Sequence, residues 1–252
     1  MRCKWAWVAI ISVACGVAPG VRGDVLTVFP NKDNSLLEDP AGSVSGGASS
    51  AVYLGRLGSS GGNLKRRAVM AFDLSAIPSN AVVTQVSLSL TLLKGNGGDT
   101  PVALHRLTKN WGEGSSSGGP QGGLSTPGSA TWIHTFYSGS FWTSPGGDFD
   151  AATSGSQLVG GFGAPVWDSG ASGNQRMVND AQGWVSNPAN NFGWILIGDE
   201  VNTSTAKEIA SKETGFGLPA LTVTYTVPEP GTIAVVSIVG IAGLGMRRGR
   251  QR

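Results

Sequence analysis

Between Val83 and Leu93 apolar and polar residues alternate without a break. Val86, Leu88, Leu90 and Leu92 fall on one side, and Ser87, Ser89 and Thr91 on the other. A strict period of two means a strand buried on one face only. Shorter runs of the same kind follow at 25–29, 52–55, 68–74, 102–107, 194–198 and 221–226, separated by Gly, Ser, Asn and Pro. Regular short strands with turn residues between them predict an all-β sandwich or barrel. One stretch departs from this pattern. Met177, Ala181 and Trp184 stand at helical spacing within 174–186, and Asn187-Pro188 stops the run, which predicts one short helix. Gly183 weakens that segment as a helix.

The two ends read differently from the middle. Arg2 and Lys4 precede an apolar run from Trp5 to Val17, and Gly23, with Val21 two places before it, offers the small residue that a signal peptidase needs. The run of about 13 residues is shorter than the roughly 18–20 that span a bilayer. We therefore expect residues 1–23 to be a cleaved signal peptide. A retained anchor is the alternative, and so is a lipoprotein on Cys15, though Ser12 and Val13 fit a lipobox poorly. Both cysteines, Cys3 and Cys15, lie in this leader. The mature chain then has neither a disulfide framework nor a thiolate metal site, and it must rest on its core alone.

At the other end, Pro228-Glu229-Pro230 leads into an apolar stretch from Thr232 to Met246 and then Arg247, Arg248, Arg250 and Arg252. The Arg cluster would hold its end on the cytoplasmic side. This order resembles the PEP-CTERM sorting signal, with the match carried by Pro228, Glu229 and Pro230. The resemblance implies a processing protease of the exosortase type, a transient membrane stage through residues 228–252, and a Gram-negative host that makes exopolysaccharide. A permanent C-terminal anchor is the alternative. Leader and tail together hold seven of the 18 bases and one of the 16 acids, Glu229, which leaves 11 bases against 15 acids in 24–227, or −4. The apparent basicity belongs to the targeting segments, so nucleic acid is not the expected partner.

The middle, 24–227, carries a second resemblance. Asp33-Asn34-Ser35-Leu36-Leu37-Glu38 fits the core of the DNRLRE domain, a family named for that motif. Arg66 to Pro78, Trp111-Gly112-Glu113, Thr131-Trp132, Trp142 to Asp148, Asp180 to Trp184, Asn191 to Trp194, Ser211-Lys212-Glu213 and Pro219 to Tyr225 follow in the family's order. The resemblance implies a jelly-roll β-sandwich of the kind that accompanies surface or polysaccharide-acting proteins, some of them similar to modules for acidic glycans such as alginate. Such glycans favour a basic cleft. Here bases are few, although Lys65, Arg66 and Arg67 adjoin.

Candidate chemistry is sparse. Gly58-Ser-Ser-Gly-Gly62 and Gly114-Ser-Ser-Ser-Gly118 both match Gly-x-Ser-x-Gly, but no helix pattern follows either one, as a nucleophile elbow requires. His105 reads as a strand residue, and neither it nor His134 has a second His or Cys at metal-ligand spacing. Asp33, Asn34, Glu38 and Asp39 offer hard oxygens for Ca²⁺, with an Asx-turn as the plainer alternative. From 112 to 163 the chain is rich in Gly, Ser, Thr and Pro yet aromatic, which predicts ordered loops rather than disorder. Trp184 and Trp194 are expected in the core, while Trp111, Trp132, Trp142 and Trp167, beside turn sequences, are candidate glycan contacts together with His134 and Tyr137. The expected function is an exported, non-catalytic surface or exopolysaccharide-associated protein, structural or carbohydrate-binding. The alternatives are a polysaccharide lyase or hydrolase and a protein adhesin without a glycan ligand.

Overall fold

The computed structural model describes residues 23–228. The expected leader, and Glu229, Pro230 and the rest of the tail, lie outside the described residues. Among the described residues no helix is long and apolar enough to cross a membrane.

Among the described residues the regular structure is mostly antiparallel strands, with one α-helix. In order they are β1 (Asp24–Val28), β2 (Pro30–Leu37), β3 (Val44–Ser45), β4 (Ala51–Arg56), β5 (Lys65–Phe72), β6 (Val82–Ser89), β7 (Leu92–Gly95) and β8 (Thr100–Leu107). There follow β9 (Gly123–Leu124), β10 (His134–Phe136), β11 (Ser140–Phe141), β12 (Phe149–Val159), β13 (Val166–Asp168), helix α1 (Arg176–Ser186), β14 (Trp194–Ile197), β15 (Lys207–Ala210) and β16 (Ala220–Thr226). One sheet has four strands in the order β1-β16-β6-β13. The other has eight, β12-β8-β14-β5-β4-β15-β7, with β2 paired to β5.

The two sheets pack face to face as a sandwich. Val86 and Leu88 of β6 and Leu221 and Val223 of β16 meet Met70 and Phe72 of β5, Leu104 of β8 and Trp194 of β14 in one core. Helix α1 closes this core with Met177, Ala181 and Trp184, the residues its spacing predicts. Gly183 is tolerated because it faces open space.

Strand β5 from Ala68 onward and the whole of β14 are apolar, and the pattern has a cause. Ala68, Met70 and Phe72 point into the sandwich, while Val69 and Ala71 point out into a second core with Ile195, Leu36 and Trp111. A strand covered on both faces loses the polar half of its alternation.

The run at 83–93 differs from its prediction in one respect. It serves two strands, β6 in the small sheet and β7 in the large one, and the chain crosses between sheets at Leu90–Thr91. All four predicted apolar residues, Val86, Leu88, Leu90 and Leu92, are buried nonetheless. Alternation encodes which side faces the core, and that side is shared when a strand changes sheet at a sandwich corner. A bulge opposite Thr224–Tyr225 also inserts Thr84, which brings Val83 inward as well as Val86.

Strands run where turns and loops are expected, the two longest being β2 and β12. Strand β2 covers Asp33 and Asn34, so an Asx-turn at those positions is overturned. Strand β12, eleven residues long, is written in small residues. Ser154 hydrogen-bonds Asp180 of α1, and a Cβ on Gly155 would stand 2.9 Å from the Met177 sulfur. The helix lies so close that only small side chains fit beneath it.

Candidate functional site

The Gly- and Ser-rich segment between β8 and β12 folds back flat over the outer face of the large sheet. Its three tryptophans point inward, against that sheet, while Phe141 stays exposed. Trp111, Trp132 and Trp142 form the second core with Leu36, Val69, Leu107 and Ile195. Trp167 is fully buried in the main core. The indole N–H groups are spent internally: Trp111 donates to the Phe192 carbonyl at 2.9 Å, Trp142 to that of Thr131 at 3.0 Å, and Trp167 to that of Val102 at 3.0 Å. The expectation that these four tryptophans meet a glycan at the surface is therefore corrected; they are packing residues. His134 is buried too, 2.9 Å from the Thr131 hydroxyl and stacked against Phe141, and burial pushes its pKa down. Tyr137 is half-buried, its ring meeting that of His134 edge-on. Glycine makes the close approach feasible: a Cβ on Gly146, in the left-handed region at φ 93°, would stand 3.0 Å from the Trp132 ring.

The motif residues far apart in the chain meet at one place. The Asp33 N–H donates to Glu113 Oε1 at 2.9 Å, and the Lys212 N–H donates to Asp33 Oδ2 at 2.8 Å. Lys212 Nζ lies 3.2 Å from Glu113 Oε1 and also pairs with Glu213. Asn34 Nδ2 donates to the carbonyls of Glu113, at 2.8 Å, and Ala130, at 3.2 Å. The first motif thus ties the folded-back layer to the sheet, and Ser211-Lys212-Glu213 ties the β15–β16 turn to both.

Asp33 is wholly buried and its Oδ1 has no hydrogen-bond partner. Burial drives its pKa up to about 7 against the Lys212 N–H, and the neighbouring Glu213 and Glu113 add to the rise. Burial raises Glu113 as well.

The four candidate calcium ligands do not converge. Asp33 and Asn34 are engaged as above, Glu38 Oε2 accepts the Lys65 N–H at 2.6 Å, and Asp39 accepts the N–H groups of Ala41 and Ser43 in its own turn. Among the described residues no three His, Cys, Asp or Glu come together as a metal-holding group. The two Gly-x-Ser-x-Gly matches have no base beside them. Ser60 sits in an exposed 3₁₀ turn, and the Ser116 hydroxyl is buried against Ser129 and Thr126.

A groove opens beside the second core. An open cleft of about 640 Å³ is lined by Arg67, Thr108, Lys109, Thr143, Ser144, Asp148 and Phe149, among others. Small-ligand sites occupy roughly 300–1,000 Å³. The adjoining bases 65–67 divide between the two faces of β5, as period two requires. Arg66 turns away and is buried on the carbonyls of Pro120 and Lys65, each at 2.7 Å. Arg67 reaches the cleft, where Nε and Nη2 grip Glu200 at 2.7 and 2.9 Å and Nη1 donates to the Gly146 carbonyl at 2.8 Å. Its guanidinium carbon stands 5.0 Å from the Trp132 ring centre and 5.6 Å from that of Phe149.

Lys109 extends over the opposite wall, bonded to the Phe141 carbonyl at 2.9 Å and 3.5 Å from Asp148. Burial pulls the Asp148 carboxyl upward, but the N–H groups of Thr143 and Ser144 and the nearby Lys109 outweigh it and hold the group below the usual range. The cleft therefore presents hydroxyls, an ammonium, an ionised carboxylate and one ring edge. Sequence reasoning missed Lys109 and Phe149. The signal open to it was the exposed-loop chemistry of 143–148, which the tryptophans overshadowed.

No protein-family model matches the chain, and a search of curated proteins finds no match.

Proposed function

We propose that the chain is an exported, non-catalytic module of the cell surface or exopolysaccharide layer, a jelly-roll relative of the DNRLRE domain that holds polysaccharide weakly through the Arg67–Lys109–Asp148 cleft. The single observation that carries the reading is the cleft's lining. It mixes donors and one ionised acceptor around Phe149, which is the complement of a sugar ring with its hydroxyls. Glycoside hydrolysis works with a pair of carboxylates, and the lining holds one, tied down by two backbone N–H groups.

Delivery by a leader at 1–23 and sorting through 228–252 belong to the same proposal. What supports them is the fit of the fold to the two expected processing points: β1 starts at Asp24 and β16 ends at Thr226, so cuts at either point leave every strand intact. An exosortase-type protease is then the processing partner, and the membrane segment is transient.

The test is affinity electrophoresis of residues 24–227 in gels containing uronate-bearing or neutral polysaccharides. Retention should fall for Lys109→Ala by roughly tenfold, the worth of one hydrogen bond to a charged group at about 1.5 kcal/mol. The melting temperature should move little, because the Lys109 side chain is 45% exposed and packs in neither core. Equal retention of the wild type and the variant removes the cleft from the reading. Release of reducing or unsaturated ends from the polysaccharide would replace the binding module with an enzyme.

A further inference from the structure

The turn between β14 and β15 carries Asn202-Thr203-Ser204, an Asn-x-Ser/Thr acceptor sequence. No other asparagine of the sequence is followed by x-Ser/Thr. Glu200 stands two places before it, which makes the extended acidic form that bacterial oligosaccharide transferases read. We propose that Asn202 is N-glycosylated during export, an inference that rests on the exported reading above.

The placement fits an acceptor. Asn202, Thr203 and Ser204 are exposed, and Val201 beside them is 83% exposed. The stem of the turn is pinned. The Thr205 hydroxyl donates to the Asp199 carbonyl at 2.6 Å, and Arg56 Nη1 donates to that of Val201 at 3.0 Å. Only the tip projects. There Asp199 Oδ1 accepts the N–H groups of Val201 and Asn202, at 2.9 and 3.0 Å, while Asn202 Nδ2 donates one hydrogen bond to Asp199 Oδ2 at 2.8 Å. That bond lies in water and is cheap to exchange, so a glycan on Nδ2 projects outward without displacing packed atoms.

In the transfer, Nδ2 forms a bond to the anomeric carbon of a lipid-pyrophosphate-linked oligosaccharide. The anomeric C–O bond to phosphate breaks, the lipid pyrophosphate leaves, and Nδ2 gives up one proton. Glu200 sets the order of events. In the folded domain its two oxygens are held by Arg67 and its side chain is only 15% exposed. A transferase that reads this acid must act before Glu200 docks, on the chain as it emerges.

Intact-mass and peptide mass spectrometry of the full-length gene product from the native host decide the matter. The expected result is a chain that begins at Asp24 and carries sugar mass on Asn202, with the addition lost in Asn202→Gln and in Ser204→Ala. Loss in the serine variant is the readout of a transferase, since that residue is not the one modified. A chain that begins at Asp24 with bare Asn202 overturns this inference and leaves export standing. A chain that keeps Met1 with Asn202 bare overturns both. Sugar mass that persists in Asn202→Gln places the modification elsewhere and also overturns it.

Discussion

Replacing Asp33 by Asn should change how stability depends on pH more than it changes the fold. In the folded chain the Asp33 carboxyl titrates at about 7, against an ordinary value of 3.8. Below about pH 4 both folded and unfolded chains hold the proton, and ionisation of Asp33 contributes no cost. As pH rises from about 4 to 7 the unfolded chain sheds it while the folded chain keeps it, so stability falls; above about 7 the loss is complete and constant. Roughly three pH units at about 1.36 kcal/mol each bound the loss at about 4 kcal/mol. The side chain is wholly buried, so solvent screening does not reduce that bound appreciably. An asparagine keeps an oxygen for the Lys212 N–H and never ionises. Urea unfolding of both proteins at half-unit steps from pH 4 to 8 measures the difference, and groups common to the two cancel. The curves should run together near pH 4 and separate by several kcal/mol, in favour of the variant, by pH 7.5. Parallel curves, or a wild type that gains on the variant as pH rises, would mean that Asp33 is ionised and paired across the whole range. The account of the motif cluster would then be wrong.

Three further outcomes are expected. Trp132→Ala should lower the free energy of unfolding by about 3–5 kcal/mol, the usual cost of truncating a buried aromatic, and an unchanged urea midpoint would return this residue to the surface. Glu200→Ala strands the Arg67 guanidinium between two rings. A loss of roughly 2–3 kcal/mol is expected by thermal or urea melts, less than for a fully enclosed pair because both side chains keep some exposure. Dithiothreitol should leave the melt of the protein purified from its native host unchanged, since Cys3 and Cys15 both fall in the expected leader; a shift would mean that a leader cysteine is retained and paired.

Elements with one solvated face were the readable ones. Strands β1, β6 and β16 and helix α1 each show their period in the chain, because water on one side keeps the polar half of the pattern in place. Strand β12 was hidden because its composition answers to α1: Ser154 and Gly155 are what fits under Met177 and Asp180, and they read as loop. The tryptophans failed as site residues for a related reason. Gly and Ser around Trp111, Trp132 and Trp142 suggested exposed loops, yet the same small residues let the segment lie close against β5 and β14 and bury the rings. Which face of a segment turns inward depends on what lies opposite it, and no local pattern states that.

The meeting of Asp33, Asn34, Glu113 and Lys212 bears on where a ligand is to be sought. Their contacts span 79 to 179 positions, and each joins the sheet to something that must be held against it. Their polar atoms are turned on one another: Asn34 Nδ2 alone serves Ser45, Glu113 and Ala130. A Cβ on Gly47 would stand 2.0 Å from the Glu113 carbonyl oxygen, so the packing there leaves no room for a sugar. These contacts are thus fasteners that hold the fold together and say nothing of a ligand. On the proposed reading, specificity resides in side chains that the fasteners position without engaging. On this sheet face those are Thr108, Lys109, Thr143, Ser144 and Phe149, which line the cleft beside the second core. Exchanging these residues should change which polysaccharide is retained while the melting temperature stays where the cores set it.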